Sequence, residues 1–300
     1  MTAGAVDASV HWIDGATPGT ALLRAHDSVG GTAWWFDDTE VDPVEAWGPA
    51  MATCLAAIDT AVAAGQPVPE AIAWSQGEAD VTGLHNGTRT RSQFQASIVA
   101  VWGHIRDHLI SLGAVAPKLL YIGMGAREHA VSAAQRKGAS LVRWAYLDAI
   151  AATAWAHAGV EAYDVQRGPN EIHYTEMGYW LIGRRLARLW ANIILGAAYD
   201  LGPVISGETV SADRKILTVA HTTSSRILVM PAGESGGRTL AAAPEAPDGA
   251  PMLYSVTDSA GVLQRIIAAT VVGSSVQLQL AQPLPGNWWE RTKSDVITGA

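Results

Sequence analysis

Three short stretches carry the residue types that acyl-transfer chemistry uses. The run Asp27-Ser28-Val29-Gly30-Gly31-Thr32 sets a hydroxyl beside bare glycine backbone, which can aim an N–H group at a developing oxyanion. The run Trp74-Ser75-Gln76-Gly77-Glu78-Ala79-Asp80 offers a side-chain amide donor and two carboxyl groups able to orient neighbours or hold a loop. The run Gly168-Pro169-Asn170-Glu171-Ile172-His173 ends on an imidazole, the group best suited to move a proton near neutral pH. Singly, each has an ordinary reading: a Gly-Gly turn, a turn serine at Ser28, a solvated or helix-capping Glu78 and Asp80, a structural histidine. Together they supply N–H donor, amide donor and imidazole, the complementary parts of one acyl-transfer site.

Groups so far apart in sequence meet only if the fold brings them to one edge. From about residue 20 to 195, short apolar runs alternate with long amphipathic stretches, which predicts βα units and a parallel sheet. The expected strands are Thr20 to Ala25, Ala71 to Trp74, Lys118 to Gly123 and Val160 to Asp164, each followed by a helical pattern. Phe94, Ile98, Val101, Ile105 and Leu109 step by four and three, so they share one helical face that would pack on the sheet. In such sheets functional groups gather at the carboxyl ends of strands, and the three stretches above follow the first, second and fourth of these strands.

The texture changes after Trp190. Leu201-Gly202-Pro203 breaks the helical pattern, and alternation of the kind seen in Val276-Gln277-Leu278-Gln279-Leu280 takes over. Ile216 to Val219, Arg226 to Met230, Met252 to Val256 and Val262 to Ala269 also read as strands, and Ala241 to Pro251 as a loop. The expected organisation is an α/β domain over residues 1–198, then a small all-β, sandwich-like domain over 199–300.

Composition narrows the partners. With 28 acidic against 20 basic residues and no Lys/Arg stripe, nucleic acid is not expected. No window reaches the roughly 20 apolar residues that span a bilayer, so no membrane association is expected either. Met1 to Asp14 lacks the basic start and apolar stretch of a secretory signal, which leaves cytoplasmic and virion-associated settings open. Cys54 is the single cysteine, and its helical, apolar setting predicts a buried, inert thiol. Oligomeric state is not legible.

Trp74 to Asp80 resembles the Trp-x-Gln-Gly-Glu-x-Asp block of the sialate O-acetylesterase-like branch of the SGNH hydrolases, a superfamily of carbohydrate esterases. Val29-Gly30-Gly31-Thr32, followed closely by Trp34 and Trp35, is similar to that family's Gly-Gly-Thr block. His173, with Tyr174-Thr175-Glu176-Met177-Gly178-Tyr179 after it, is similar to its last block, Asp-x-x-His then Gly-Tyr. The blocks run in family order from residue 20 to about 190. The resemblance implies a three-layer, flavodoxin-like parallel sheet and hydrolysis of O-acetyl esters on sialate or other acetylated sugars, with no metal or organic cofactor. It assigns His173 to proton transfer, Gly31 and Gln76 to the oxyanion hole, and Asn170 to the position that orients the imidazole. Gly30, Thr32, Gly77 and Glu78 would support these groups. Apart from the resemblance, Trp34 and Trp35 beside the cleft could stack on a sugar ring, with core packing as the ordinary reading of such a pair.

Two positions depart from the pattern. The family's Gly-Gln-Ser-Asn nucleophile block is absent, and the residues before Thr20 are too few for another strand, loop and helix, so the chain is expected to begin inside the domain. Ser28 is the nucleophile candidate if Asp27-Ser28 stands for the Gly-Asp-Ser block of other SGNH enzymes; Ser9 and Ser75 are weaker ones. Asn170 replaces the family's Asp and cannot stabilise an imidazolium by charge, a swap that costs roughly 10⁴ in rate in a Ser-His-Asp protease. Asp164 and Glu171 are the substitutes nearest in sequence. Two alternatives stand beside the esterase: a non-catalytic carbohydrate-binding or virion-structural module, to which Trp288 and Trp289 could contribute, and an unstable fragment.

Overall fold

The computed structural model describes residues 13–15, 20–27, 33–123, 133–161, 174–194, 204–222, 234–235, 238–239, 255–257, 263–285 and 297–298. Its first part is mixed α/β with parallel strand pairings. Strands β1 (Ala21–Leu23) and β2 (Trp34–Phe36) pair in parallel, Ala21 opposite Trp34. Strands β3 (Ala71–Trp74), β4 (Lys118–Gly123) and β5 (Ala156–Glu161) form a second parallel sheet in that order. Helix α1 (Pro49–Ala63) follows β2, α2 (Val81–His85) and α3 (Arg91–Ser111) lie between β3 and β4, α4 (Ala133–Ala152) joins β4 to β5, and α5 (Glu176–Ile194) comes last.

Local chemistry accounts for the helix starts. Pro49 stands at the first position of α1, where its fixed φ suits the helix and its missing N–H costs nothing. Thr90 caps α3 in a reciprocal box: its hydroxyl accepts from the Gln93 N–H, and the Gln93 side chain accepts from the Thr90 N–H. The expected α3 face, Phe94 through Leu109, is buried against the sheet. Around it, Leu22, Leu23, Met51, Trp74, Trp102, Leu119 and Tyr146 complete one core. Cys54 lies in that core on α1, and burial pushes its thiol up to about 11, which removes it as a nucleophile at neutral pH.

Two expected strands shift. The first is shorter than Thr20 to Ala25, because Arg24 to His26 turns into a 3-10 helix. The last expected parallel strand starts earlier than Val160, at Ala156, since parallel pairing to β4 recruits the weakly apolar Ala156-His157-Ala158-Gly159. Gly159 is needed there: a Cβ at this position would sit 2.1 Å from the Tyr121 carbonyl oxygen.

Every described pairing from residue 204 onward is antiparallel. Strands β6 (Val204–Val210), β7 (Ile216–Thr222), β12 (Ile266–Val272) and β13 (Ser275–Leu280) form a four-stranded sheet in the order β12-β13-β7-β6. Its inner face, with Leu217, Val219, Val276 and Leu278, shares a core with Val256 of the short strand β10 (Ser255–Thr257). Strand β10 pairs with β11 (Leu263–Gln264) and β14 (Ile297–Thr298), and β8 (Glu234–Ser235) pairs with β9 (Arg238–Thr239). The expected strand Arg226 to Met230 and loop Ala241 to Pro251 lie outside the described residues. Among the described residues, no helix is long and apolar enough to cross a membrane.

Burial holds three histidines, His104, His157 and His221, below the ordinary 6.5, with His108 adding repulsion at His104 and Lys118 at His157. Between the folded values and 6.5 the unfolded chain therefore binds more protons than the folded one. The stability these groups contribute is complete above 6.5 and is lost as pH falls through the folded values. At Asp37 burial acts upward, but bonds from Thr39 and Arg24 outweigh it and hold the carboxyl low, so its contribution is lost at more acid pH still. Thermal melts between about pH 7.5 and 5.5 are expected to show a falling midpoint. A flat or rising midpoint contradicts this.

Candidate functional site

Strand β3 ends on Trp74, and the chain then turns sharply. Gly77 takes φ 135°, a conformation open to glycine and strained for other residues, and Glu78 to Asp80 form a 3-10 helix leading into α2. This turn holds a buried polar network at the carboxyl end of the strand. Asp80, with no exposed surface, is its centre. One carboxyl oxygen accepts from the Leu22 N–H at 2.9 Å and from Gln76 Nε2 at 2.6 Å. The other meets His26 Nδ1 at 2.8 Å and the Leu23 N–H at 3.4 Å. Asp80 thus fastens the β3 turn to the end of β1. A helix-capping Asp80 is the reading the structure corrects, because its side chain makes no capping bond to α2.

Gln76 is buried beside it, at 7% exposure. Its Nε2 also donates to the Thr20 carbonyl at 3.0 Å, and its Oε1 accepts from the Tyr146 hydroxyl at 2.5 Å. Tyr146 in turn accepts from Trp74 Nε1 at 3.2 Å. A backbone carbonyl and a carboxyl group on one side, and a hydroxyl donor on the other, leave the amide a single orientation. Both Nε2 hydrogens are then committed to protein acceptors. Burial, with Tyr121 close by, pushes the Tyr146 hydroxyl well above its usual range, so it stays a neutral donor.

Aromatic rings pack this network. Tyr146 stacks on Tyr121 at 4.6 Å between centroids, and Trp74 meets Trp35 edge-on at 4.9 Å. Trp34 and Trp35 are 8% and 5% exposed, and Trp35 Nε1 donates to the Thr20 hydroxyl at 3.1 Å. Their rings therefore serve the core, and neither offers the open face that stacking on a sugar requires. Ser75 and Glu78 are the exposed side chains of the turn, while Gly77 is buried.

Of the expected site residues, the structure places Gln76, Gly77, Glu78, Trp34 and Trp35. Ser28, Gly30, Gly31, Thr32, Asn170 and His173 lie outside the described residues, as do Ser9, Asp164 and Glu171. Two members of the network had no sequence expectation, His26 and Tyr146. Tyr146 had a signal: it lies in register with Val142, Ala145 and Ala149 on the buried face of α4, where a phenol needs a polar partner. Among the described residues no group of three or more His, Cys, Asp or Glu side chains could hold a metal ion.

Neither a protein-family model nor a curated protein matches this chain. A solved structure does resemble it. That structure is a carbohydrate acetylesterase from Xanthomonas citri, with a TM-score of 0.46 and 14% identity. The match covers 77% of this chain and 48% of the acetylesterase, so this chain spans about half the length of that neighbour.

Proposed function

We propose that this chain is a serine-type carbohydrate esterase module that removes O-acetyl groups from sialate or other acetylated sugars. The observation that carries the reading is the seating of the Trp74 to Asp80 turn. It lies at the carboxyl end of a parallel strand and is bonded through Asp80 to β1 and to His26, two residues before Ser28 in sequence. The reading requires the flavodoxin-like, three-layer arrangement of SGNH hydrolases.

In this mechanism a serine hydroxyl, with Ser28 as the candidate, adds to the acetyl carbonyl while His173 takes its proton. The Gly31 N–H stabilises the oxyanion. His173 returns the proton to the departing sugar oxygen, and water then repeats the sequence to release acetate. Asn170 orients the imidazole without charge, which keeps turnover slow. Gln76 holds the turn, and it can donate to an oxyanion only by giving up its bond to Asp80 or to Thr20.

That commitment of Gln76 favours a second reading, a non-catalytic carbohydrate-binding or virion-structural module on the same fold. Hydrolysis of p-nitrophenyl acetate and of acetylated sugars separates the two. Turnover that disappears in His173→Ala and Ser28→Ala supports the esterase. Glycan binding without turnover supports the second reading, and a folded chain that neither binds nor turns over overturns both.

A further inference from the structure

Helix α5 turns Ile182 and Leu189 inward, and Ile182 shares a small apolar cluster with Ile122 of β4, Tyr174 and Leu181. Thr175 fixes the start of the helix, its hydroxyl accepting from the Gly178 N–H at 3.1 Å. On the outer face Trp180, Arg184 and Arg188 follow one another at four-residue steps, all exposed. Trp180 is 54% exposed and its neighbour Tyr179 53%. Every other Trp, Tyr and Phe among the described residues is buried or half-buried. Two open rings side by side are therefore a local feature of this helix, seven and six residues after His173 in sequence.

The Arg184 guanidinium lies over the Trp180 ring at 4.7 Å. Stacking holds the indole in place and leaves the N–H edge of the guanidinium directed outward, where it can meet a carboxylate with two parallel bonds. The Tyr179 ring is steadied by an edge-on contact with Tyr174 at 5.6 Å. Beside Trp180 there is room: a Cβ added at Gly183 would meet nothing within 4 Å. An aromatic ring with open space next to it suits the apolar C–H face of a pyranose, and the guanidinium adds a preference for a carboxylate on that sugar.

Charge selects among occupants. The chain has a formal net charge of −8, yet three of its 20 Lys and Arg residues fall between Arg184 and Arg188, a local positive field that draws a small anion. Two exposed arginines are too few to follow a phosphate backbone, whose binding grows with each charge neutralised. The other outer positions, Gly183, Ala187 and Ala191, lack the aliphatic bulk that inserts into a bilayer. Exposed Glu176, one turn before Trp180, repels a carboxylate and so directs it toward Arg184 and Arg188. We infer that the outer face of α5 is a subsite for a sugar carrying a carboxylate, of which sialate is an example, with Trp180 against the ring and Arg184 on the carboxylate. The inference rests on the carbohydrate reading shared by both functions proposed above.

Calorimetric titration of the full chain with the α-methyl glycoside of sialate, and with the same glycoside methyl-esterified at its carboxyl, tests it. Neither ligand carries an O-acetyl group, so binding is read without turnover. The acid is expected to bind about tenfold more tightly than the ester, the size of one charge-assisted hydrogen bond. Trp180→Ala is expected to weaken both by about tenfold. Arg184→Gln is expected to bring the acid down to the ester and leave the ester unchanged, with melting temperatures kept because both side chains are exposed. This binding pattern in a chain that does not hydrolyse p-nitrophenyl acetate removes the esterase and keeps the subsite. Absence of binding, equal binding of acid and ester, or wild-type affinity in Trp180→Ala overturns the subsite whatever the hydrolysis assay gives. So does binding to phosphatidylserine vesicles with none to the sialate glycoside.

Discussion

Asp80→Ala is expected to lower the stability of the α/β part by about 4 kcal/mol, the loss that follows from stripping one partner out of a buried polar cluster. The side chain is fully buried and meets four donors from three places in the chain: two backbone N–H groups of β1, the His26 ring and the Gln76 amide. Alanine returns none of these bonds and leaves no exposed path for water. Each buried donor left unpaired costs about 1–3 kcal/mol, so even partial relaxation leaves a large deficit. A domain stable by roughly 5–15 kcal/mol would then unfold well below its normal denaturant midpoint. Asp80→Asn sharpens the test. It keeps the volume but turns an NH2 group toward donors, so it is expected to lose most of the same stability. A chemical denaturation curve for Asp80→Asn that overlays the wild type would refute the acceptor role.

The same network shows what sequence reasoning reaches and where it stops. Strands β3 and β4 match the expected runs because each is a short apolar segment bounded by turn residues, and the α3 face follows from a strict four-and-three spacing. These are local signals. The bonds of Asp80 to Leu22, Leu23 and His26 join residues 54 to 58 positions apart, and the Tyr146 to Gln76 bond spans 70, so no spacing rule exposes them. The block around Gln76 is legible as a motif, whereas the commitment of its amide depends on the Thr20 carbonyl just before β1 and on Tyr146 of α4. Which reading of Trp34 and Trp35 holds is decided by tertiary packing in the same way. Adjacent tryptophans after a glycine run suit an aromatic cleft, but as a three-residue strand beside β1 they are drawn into the core, with Arg24 lying over the outer ring at 5.5 Å. Strand β5 is displaced because tertiary pairing, more than its own propensity, makes Ala156 to Gly159 extended.

Gly138→Ala and Gly103→Ala are expected to change stability in opposite directions, although both replace a glycine inside a long helix. Intrinsic propensity alone favours alanine at each by about 0.5–1 kcal/mol. At Gly103 in α3 a new Cβ meets nothing within 4 Å, so that gain is expected in full. At Gly138 in α4 the Cβ would lie 2.1 Å from the Val81 carbonyl oxygen at the start of α2. The obstacle is backbone, so no side-chain rotation relieves it, and α2 and α4 must separate. Their separation would loosen the contact between Val81, which directly follows Asp80, and the face of α4 that carries Ala139, Val142 and Tyr146. Overpacking of this kind costs about 1–3 kcal/mol and more where backbone must move, which exceeds the propensity gain. Thermal melts of the two variants should therefore fall on either side of the wild type. Equal stabilisation by both would show that α4 does not press on α2, and with it that the rigid support of the Gln76 turn has been misplaced.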